Sequence, residues 1–237
     1  MKILITNDDG IDADGIVRLA DAAKRLGEVW VVAPESQRSA ASHSITLRRS
    51  IDAWEMPFPV EGVKAYACDG TPADCARIGV LNIVPGKPDL VLSGINLGFN
   101  VATDLQYSAT AGAAFEAAFQ GVHAIALSED FGGVHEVTDR YLPEILDELS
   151  KAPIEHNQIW NVNFPGCPLN ECKGILKGRR VCTRRSFYAD TYDEDSKSEG
   201  RTSYMVNGRR NLVSEEDTDL QAVFNNYVSV GVANNIS

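Results

Sequence analysis

Ile3-Leu4-Ile5-Thr6-Asn7-Asp8-Asp9-Gly10 opens on a short apolar run and closes on two adjacent carboxylates. The run reads as a buried strand, and the carboxylates fall at its carboxyl end, where open α/β sheets place their ligands. Neighbouring acids that lose water repel each other unless something cationic lies between them, and a divalent metal is the natural candidate. The same residues also suit a plain polar turn, because Asn, Asp and Gly satisfy turn geometry locally.

Working outward, short β-branched runs alternate with helical stretches as far as residue 165, the pattern of βαβ units and a mostly parallel sheet. Gly15–Leu26 repeats apolar residues at helical spacing and stops at Gly27. Val29–Ala33 reads as the next strand, ended by Pro34. Ser44–Leu47 and Ile51–Val60 read as short strands or a hairpin. Thr71-Pro72 opens a helix towards Ile83, with Pro at the first helical position. Asp89–Ser93 reads as a strand entering a Gly94–Asn100 loop, Ser108–Phe119 as an alanine-rich helix, Ala124–Leu127 as a strand, Thr138–Leu149 as a helix and Ile159–Phe164 as a strand. The expected fold class is therefore α/β, a Rossmann-like three-layer arrangement. Residues 1–165 are read as its catalytic core. Residues 166–237 are read as an extended hairpin or arm with a carboxyl-terminal segment used in oligomerisation, including a short helix through Phe224 and a last strand over Tyr227–Val232.

The chain has 237 residues, enough for one large α/β domain. A net charge of −11, from 33 acidic against 22 basic residues, disfavours a large phosphate-backbone interface, so no nucleic-acid partner is expected. No apolar run reaches the length of a membrane span and the amino terminus enters a strand directly; a cytoplasmic protein without a membrane partner is expected. Five cysteines, an odd number, argue against a disulfide framework, and Cys167, Cys172 and Cys182 lack the second ordered pair of a zinc site. The basic run from Lys177 to Arg185 reads as a solvated or intersubunit strand.

Three further polar segments follow predicted strands and should share a rim with Asp8 and Asp9: Glu35–His43, Gly94–Asn100 and Tyr107–Thr110. Carboxylates, a serine hydroxyl and an asparagine carbonyl are hard oxygen donors that suit Mg²⁺ or Mn²⁺ better than zinc. A helix beginning near Ser108 presents a positive dipole end to an anion. The set points to a metal beside a phosphate pocket, with hydrolysis as the reaction and Asp8 and Asp9 as the catalytic candidates. An aspartyl-phosphate route through either acid is open on the same residues. The motifs of serine hydrolases, P-loop enzymes and dinucleotide-binding enzymes are absent. His43 is read as a packing or surface residue and Asp74 as structural.

Thr6-Asn7-Asp8-Asp9-Gly10-Ile11, Val32-Ala33-Pro34 with Arg38-Ser39, Gly70-Thr71-Pro72-Ala73-Asp74-Cys75, Ser93-Gly94-Ile95-Asn96 and Tyr107-Ser108 with Thr110 closely resemble the SurE family, and Asn161-Val162-Asn163 and Thr218-Asp219 extend the likeness. The resemblance implies a metal-dependent phosphatase, a 5′/3′-nucleotidase acting on nucleoside monophosphates, with exopolyphosphatase activity at the same site as an alternative. It implies one divalent metal ion on Asp8, Asp9, Ser39 and Asn96, phosphate at Asn96, Ser108, Ala109 and Thr110, and a homodimer or homotetramer. Base recognition is expected from Gly98–Tyr107 and from the arm. Three places depart from the family pattern: Gly231-Val232-Ala233 replaces the usual Thr-Pro-Leu after the last strand, and Ala40 and Ala109 stand where glycine is usual. If the backbone there takes positive φ, alanine is strained; if it is helical, alanine is harmless. Loss of turnover would leave a nucleotide-binding regulator.

Overall fold

The computed structural model describes residues 1–211 and 213–235, so the last residue of the apolar piece 206–212 lies outside the described chain. The elements follow in order as β1 (Lys2–Thr6), α1 (Asp14–Ala23), β2 (Glu28–Pro34), β3 (Ala53–Met56), β4 (Lys64–Cys68), α2 (Pro72–Ile78), β5 (Leu90–Leu97), α3 (Ala109–Phe119), β6 (His123–Glu129), α4 (Glu136–Leu149), β7 (Gln158–Phe164), β8 (Ile175–Lys177), β9 (Tyr188–Ser198), β10 (Arg201–Arg210), α5 (Asp219–Phe224) and β11 (Val228–Asn234). Nine strands form one sheet in the order β3-β4-β2-β1-β5-β6-β7-β11-β8, and β9 and β10 pair antiparallel as a separate hairpin. Pairing is parallel from β4 through β2, β1, β5 and β6 to β7, while β3 and β11 run against their neighbours β4 and β7.

The expected three layers follow from alternation along the strands. Ile3 and Ile5 of β1 face the side covered by Ile16, Leu19 and Ala20 of α1 and by Leu142, Ile145 and Leu146 of α4. Leu4 faces the opposite side, where Cys75 of α2 and Ala111, Ala114 and Phe115 of α3 pack. Because both faces are covered, Ile3, Leu4 and Ile5 are fully buried, and each contributes about 1.5–3 kcal/mol relative to exposure. Two helices approach their supports closely. A Cβ on Gly15 in α1 would stand 2.1 Å from the Ile95 carbonyl oxygen of β5, and one on Gly112 in α3 would stand 2.4 Å from that of Ser42.

Two local expectations are corrected. Ser44–Leu47 is not a strand, because its backbone finds side-chain partners on the cap of α2. The Thr46 amide donates to Asp74 Oδ1 at 3.0 Å, and the Thr71 hydroxyl donates to the Ser44 carbonyl at 2.7 Å. Asp74 and Thr71 also complete a capping box, with Thr71 N–H donating to Asp74 Oδ2 and Asp74 N–H donating to Thr71 Oγ1. The second correction is at Gly94–Leu97, expected in a loop. Here β5 runs on past an irregularity between Ser93 and Asn96, pairing Asn96 with Ser128 and Leu97 with Glu129. A bulge of this kind bends a strand and re-aims the side chains beyond it.

The two alanine departures separate. Ala109 is the first residue of α3, where alanine is favourable. Ala40 has φ 56°, in the left-handed region. That conformation costs an L-residue about 1–2 kcal/mol, of which glycine's greater unfolded-state freedom would offset about 0.5–1 kcal/mol on substitution.

Asp74→Ala should cost about 1–2 kcal/mol by urea unfolding at neutral pH. Burial raises the Asp74 carboxyl, but the Thr46 and Thr71 amides outweigh it and hold it below its ordinary 3.8. Its contribution is thus present above pH 3.8 and lost as pH falls through the lower folded value, so the deficit should shrink in acid; a deficit that does not change with pH would contradict this account. Ala40→Gly should be neutral or stabilise by up to about 1 kcal/mol, whereas Ala109→Gly should lose about 0.5–1 kcal/mol. Equal losses at both positions would rule out strain at residue 40.

Candidate active site

From β1 the chain turns to one side to build β2 and β4, and it later returns to the other side of β1 with β5. The order of the strands therefore reverses between β1 and β5, and a crevice opens beyond their carboxyl ends. A cavity of ≈ 880 Å³ occupies that place, with Asp8, Ser39, Asn96 and Ser108 in its lining. Sequence separation of a hundred residues is closed by the sheet. Three backbone hydrogen bonds staple the surrounding loops: Arg38 N–H to the Asp8 carbonyl at 2.7 Å, Ile11 N–H to that of Pro34 at 2.9 Å, and Ser42 N–H to that of Tyr107 at 3.1 Å.

Asp8 is 4% exposed and accepts a 2.6 Å hydrogen bond from the Thr110 hydroxyl. Burial pushes its carboxyl up to about 7, against the Thr110 hydrogen bond, and the Asp9 charge adds to the rise. Half-buried Asp9 is also raised by burial, opposed by the Leu97 N–H that donates to Oδ2 at 3.0 Å and by the Gln37 amide that donates to Oδ1 at 3.3 Å. Neither carboxylate has an ion pair among the described residues. Asn96 commits its Nδ2 to the Gly98 carbonyl at 2.7 Å, which leaves Oδ1 as its donor atom to a cation. Two carboxylates without a counter-charge, with a carboxamide and a hydroxyl oxygen on the same cavity, fit a hard divalent cation.

The sequence-named residues do not all take equivalent places. Asp8, Ser39, Asn96 and Ser108 line the cavity, Asp9 stands beside that lining, and Ala109 and Thr110 are fully buried behind it. Ser108 is the N-cap of α3, accepting from Ala111 N–H at 3.0 Å. The Ala109 and Thr110 amides in the first helical turn have no intrahelical acceptor, which leaves them for an anion. Thr110 contributes its hydroxyl to Asp8. His43 is drawn to Glu116 at 2.9 Å and stacks on Phe119, as a packing residue would.

Other parts of the site are seen only in three dimensions. Asn163 Oδ1 accepts from Asn100 N–H at 2.8 Å, Asn161 and Asn163 both donate to the Asn100 carbonyl, and Asn100 Nδ2 donates to Ser128 Oγ. Two asparagines flanking one valine in a buried strand were the available signal, since they share a face. Asp219 Oδ2 accepts from Ala102 N–H, and Asp104 Oδ2 accepts from Phe187 and Tyr188 N–H at 2.6 and 2.8 Å. Phe99, Val101, Cys182, Phe187 and Leu220 pack into a small separate core. The loop after β5 is thereby fixed to the base of the hairpin, and Ser186, Tyr188 and Tyr192 form part of the cavity wall. The basic run is matched within the chain: Lys177 to Glu148 at 2.6 Å, Arg179 to Asp217 at 2.8 Å and Arg180 to Glu215 at 3.2 Å.

The family model "Survival protein SurE" matches residues 3–187. Proteins named 5′-nucleotidase SurE from Clostridium botulinum (strain ATCC 19397 / Type A) and Mesorhizobium japonicum are each 37% identical to this chain over 97% of its length, covering 91% and 92% of theirs. The solved SurE protein of Aquifex aeolicus superposes with a TM-score of 0.83 at 33% identity, covering 100% of this chain and 95% of that one. Matched by the family model over most of its length and by relatives along nearly all of it, the chain belongs to the SurE family.

Proposed function

We propose that this protein is a divalent-metal-dependent phosphomonoesterase, a 5′-nucleotidase that hydrolyses nucleoside 5′- and 3′-monophosphates to nucleoside and phosphate. One observation carries the reading: Asp8, raised by burial and without an ion pair among the described residues, lines one cavity with Ser108 at the amino terminus of α3, and Asp9, also raised by burial, stands beside that lining. One Mg²⁺ or Mn²⁺ ion would be held by Asp8, Asp9, Ser39 and Asn96. When bound, the cation polarises a phosphoryl oxygen and lowers the pKa of water.

The remaining chemistry belongs to the chain. The Thr110 hydroxyl holds Asp8 in one orientation, and the Leu97 amide and Gln37 hold Asp9. Ser108 caps α3, so the Ala109 and Thr110 amides are presented to phosphate oxygens together with the helix dipole. These fixed donors stabilise the charge on the transferring phosphoryl group as a water oxygen bonds to phosphorus and the ester P–O bond breaks. The polyphosphate alternative is weaker, because among the described residues no Lys or Arg lies in the cavity lining to neutralise successive phosphates, and the wall is aromatic instead.

Residues 1–165 are read as the catalytic core and 166–237 as the segment that carries oligomerisation. Exposed Tyr204, Met205 and Val206 on the hairpin support a homodimer or homotetramer. No helix among the described residues is long and apolar enough to cross a membrane, and we place the protein in the cytoplasm without a nucleic-acid or membrane partner.

Phosphate release from adenosine 5′- and 3′-monophosphate and a short polyphosphate should be absent in metal-stripped protein and return with Mn²⁺ or Mg²⁺. Asp8→Asn and Asp9→Asn should each lower it by at least about 100-fold with an unchanged circular dichroism spectrum. Nucleotide binding by calorimetry with no release from the wild type would favour a regulator and overturn the enzyme. Light scattering should give two or four chain masses; a single-chain mass would remove the oligomer from the reading.

A further inference from the structure

The polar residues of the cavity lining account for a metal and a phosphate, which together occupy only a small part of ≈ 880 Å³. The aromatic members of that lining are Phe99, Tyr107, Tyr188 and Tyr192. Tyr107 lines the cavity and directly precedes Ser108, the N-cap of α3, where phosphate is expected. Its backbone is fixed from both sides, with Tyr107 N–H donating to the Asp104 carbonyl at 2.9 Å and the Tyr107 carbonyl accepting from Ser42. Tyr192 comes from the hairpin. It lies four residues beyond Tyr188 on β9, and in a strand that spacing returns a side chain to the same face. The base of β9 is anchored by the Asp104 carboxylate through the Phe187 and Tyr188 amides, and the Asp104 backbone carbonyl accepts from Tyr107 N–H, so one residue ties the loop bearing Tyr107 to the strand bearing Tyr192.

Tyr107 and Tyr192 are 65% and 70% exposed although they line a concavity. Large aromatic faces left open beside an anion site, with no basic side chain in the lining among the described residues, suit a flat heterocycle linked to a phosphate and not a longer polyanion. Stacking also tolerates different bases, because every base has a π-face.

We propose that Tyr107 and Tyr192 form the nucleobase-recognising face of the site, so that the hairpin contributes directly to substrate choice. The inference rests on the phosphomonoesterase reading and deepens it: the substrate class is base-bearing phosphate monoesters, preferred over sugar phosphates that share the ribose. Asp104 is a positioning residue for both tyrosines.

The test compares kcat/KM for adenosine 5′-monophosphate with that for ribose 5-phosphate, using the full chain loaded with Mn²⁺. The wild-type ratio should favour the nucleotide. Tyr192→Ala and Tyr107→Ala should each lower that ratio by about ten-fold, mainly through KM, which corresponds to about 1.4 kcal/mol. Tyr192→Phe, which keeps the ring, should restore it. A wild-type ratio near one, or alanine variants that change both substrates in parallel, would overturn the proposal. If the wild type releases no phosphate from either compound, the enzymatic reading fails instead. Calorimetric affinities for the same two compounds then decide the tyrosine assignment: a nucleotide preference lost in Tyr192→Ala supports it, and equal affinities end it.

Discussion

A buried and a half-buried carboxylate side by side at the end of β1, with no ion pair among the described residues, are the constraint around which this molecule is organised. Their placement follows from the sheet. A strand covered on both faces delivers whatever follows it to the crevice where the strand order reverses. Burial makes the charged form of Asp8 costly, and the nearby Asp9 adds repulsion. The surrounding chain answers with oriented donors: the Thr110 hydroxyl, the Leu97 amide and the Gln37 carboxamide. These fix the carboxylates in place and leave most of their charge uncompensated, which is the electrostatic condition for holding a divalent cation.

The loops that complete the site are held by polar anchors more than by apolar packing. Asp74 gathers the Thr46 and Thr71 amides and so supports the chain downstream of Ser39. Asn161 and Asn163 project from a buried strand to receive Asn100, and Asp104 and Asp219 bind the amides of segments far away in sequence. Buried carboxylates and carboxamides can do this because each bonds several amides at once, satisfying groups that would otherwise be buried without partners. The consequence for function is that the hairpin base and the loop after β5 are one unit, and the cavity wall depends on both.

Ala40 and Ala109 show how one substitution type can differ in effect. At residue 109 the backbone is the first turn of a helix, and alanine leaves its amide free for an anion. At residue 40 the backbone is left-handed and the methyl group is strained. That strain sits in the loop bearing Ser39, where it bears on the geometry of a proposed ligand.

By itself the sequence carried most of the element types and the residues from which the chemistry is proposed. Periodicity separates Ile3–Thr6 from Gly15–Leu26 because strands and helices repeat their apolar residues at different intervals, and Asp8, Asp9, Ser39 and Asn96 could be named because oxygen donors after predicted strands converge in a parallel sheet. The SurE resemblance was legible for the same reason, through short motifs at those strand ends. Tertiary structure alone decided that β5 continues through Leu97, that β11 returns to pair with β7, that Thr110 serves Asp8, and that Tyr188 and Tyr192 reach the cavity. Each of these depends on contacts between residues separated by tens of positions, formed only once the sheet order is fixed, and a hydrogen bond of that kind leaves no periodic mark on the chain.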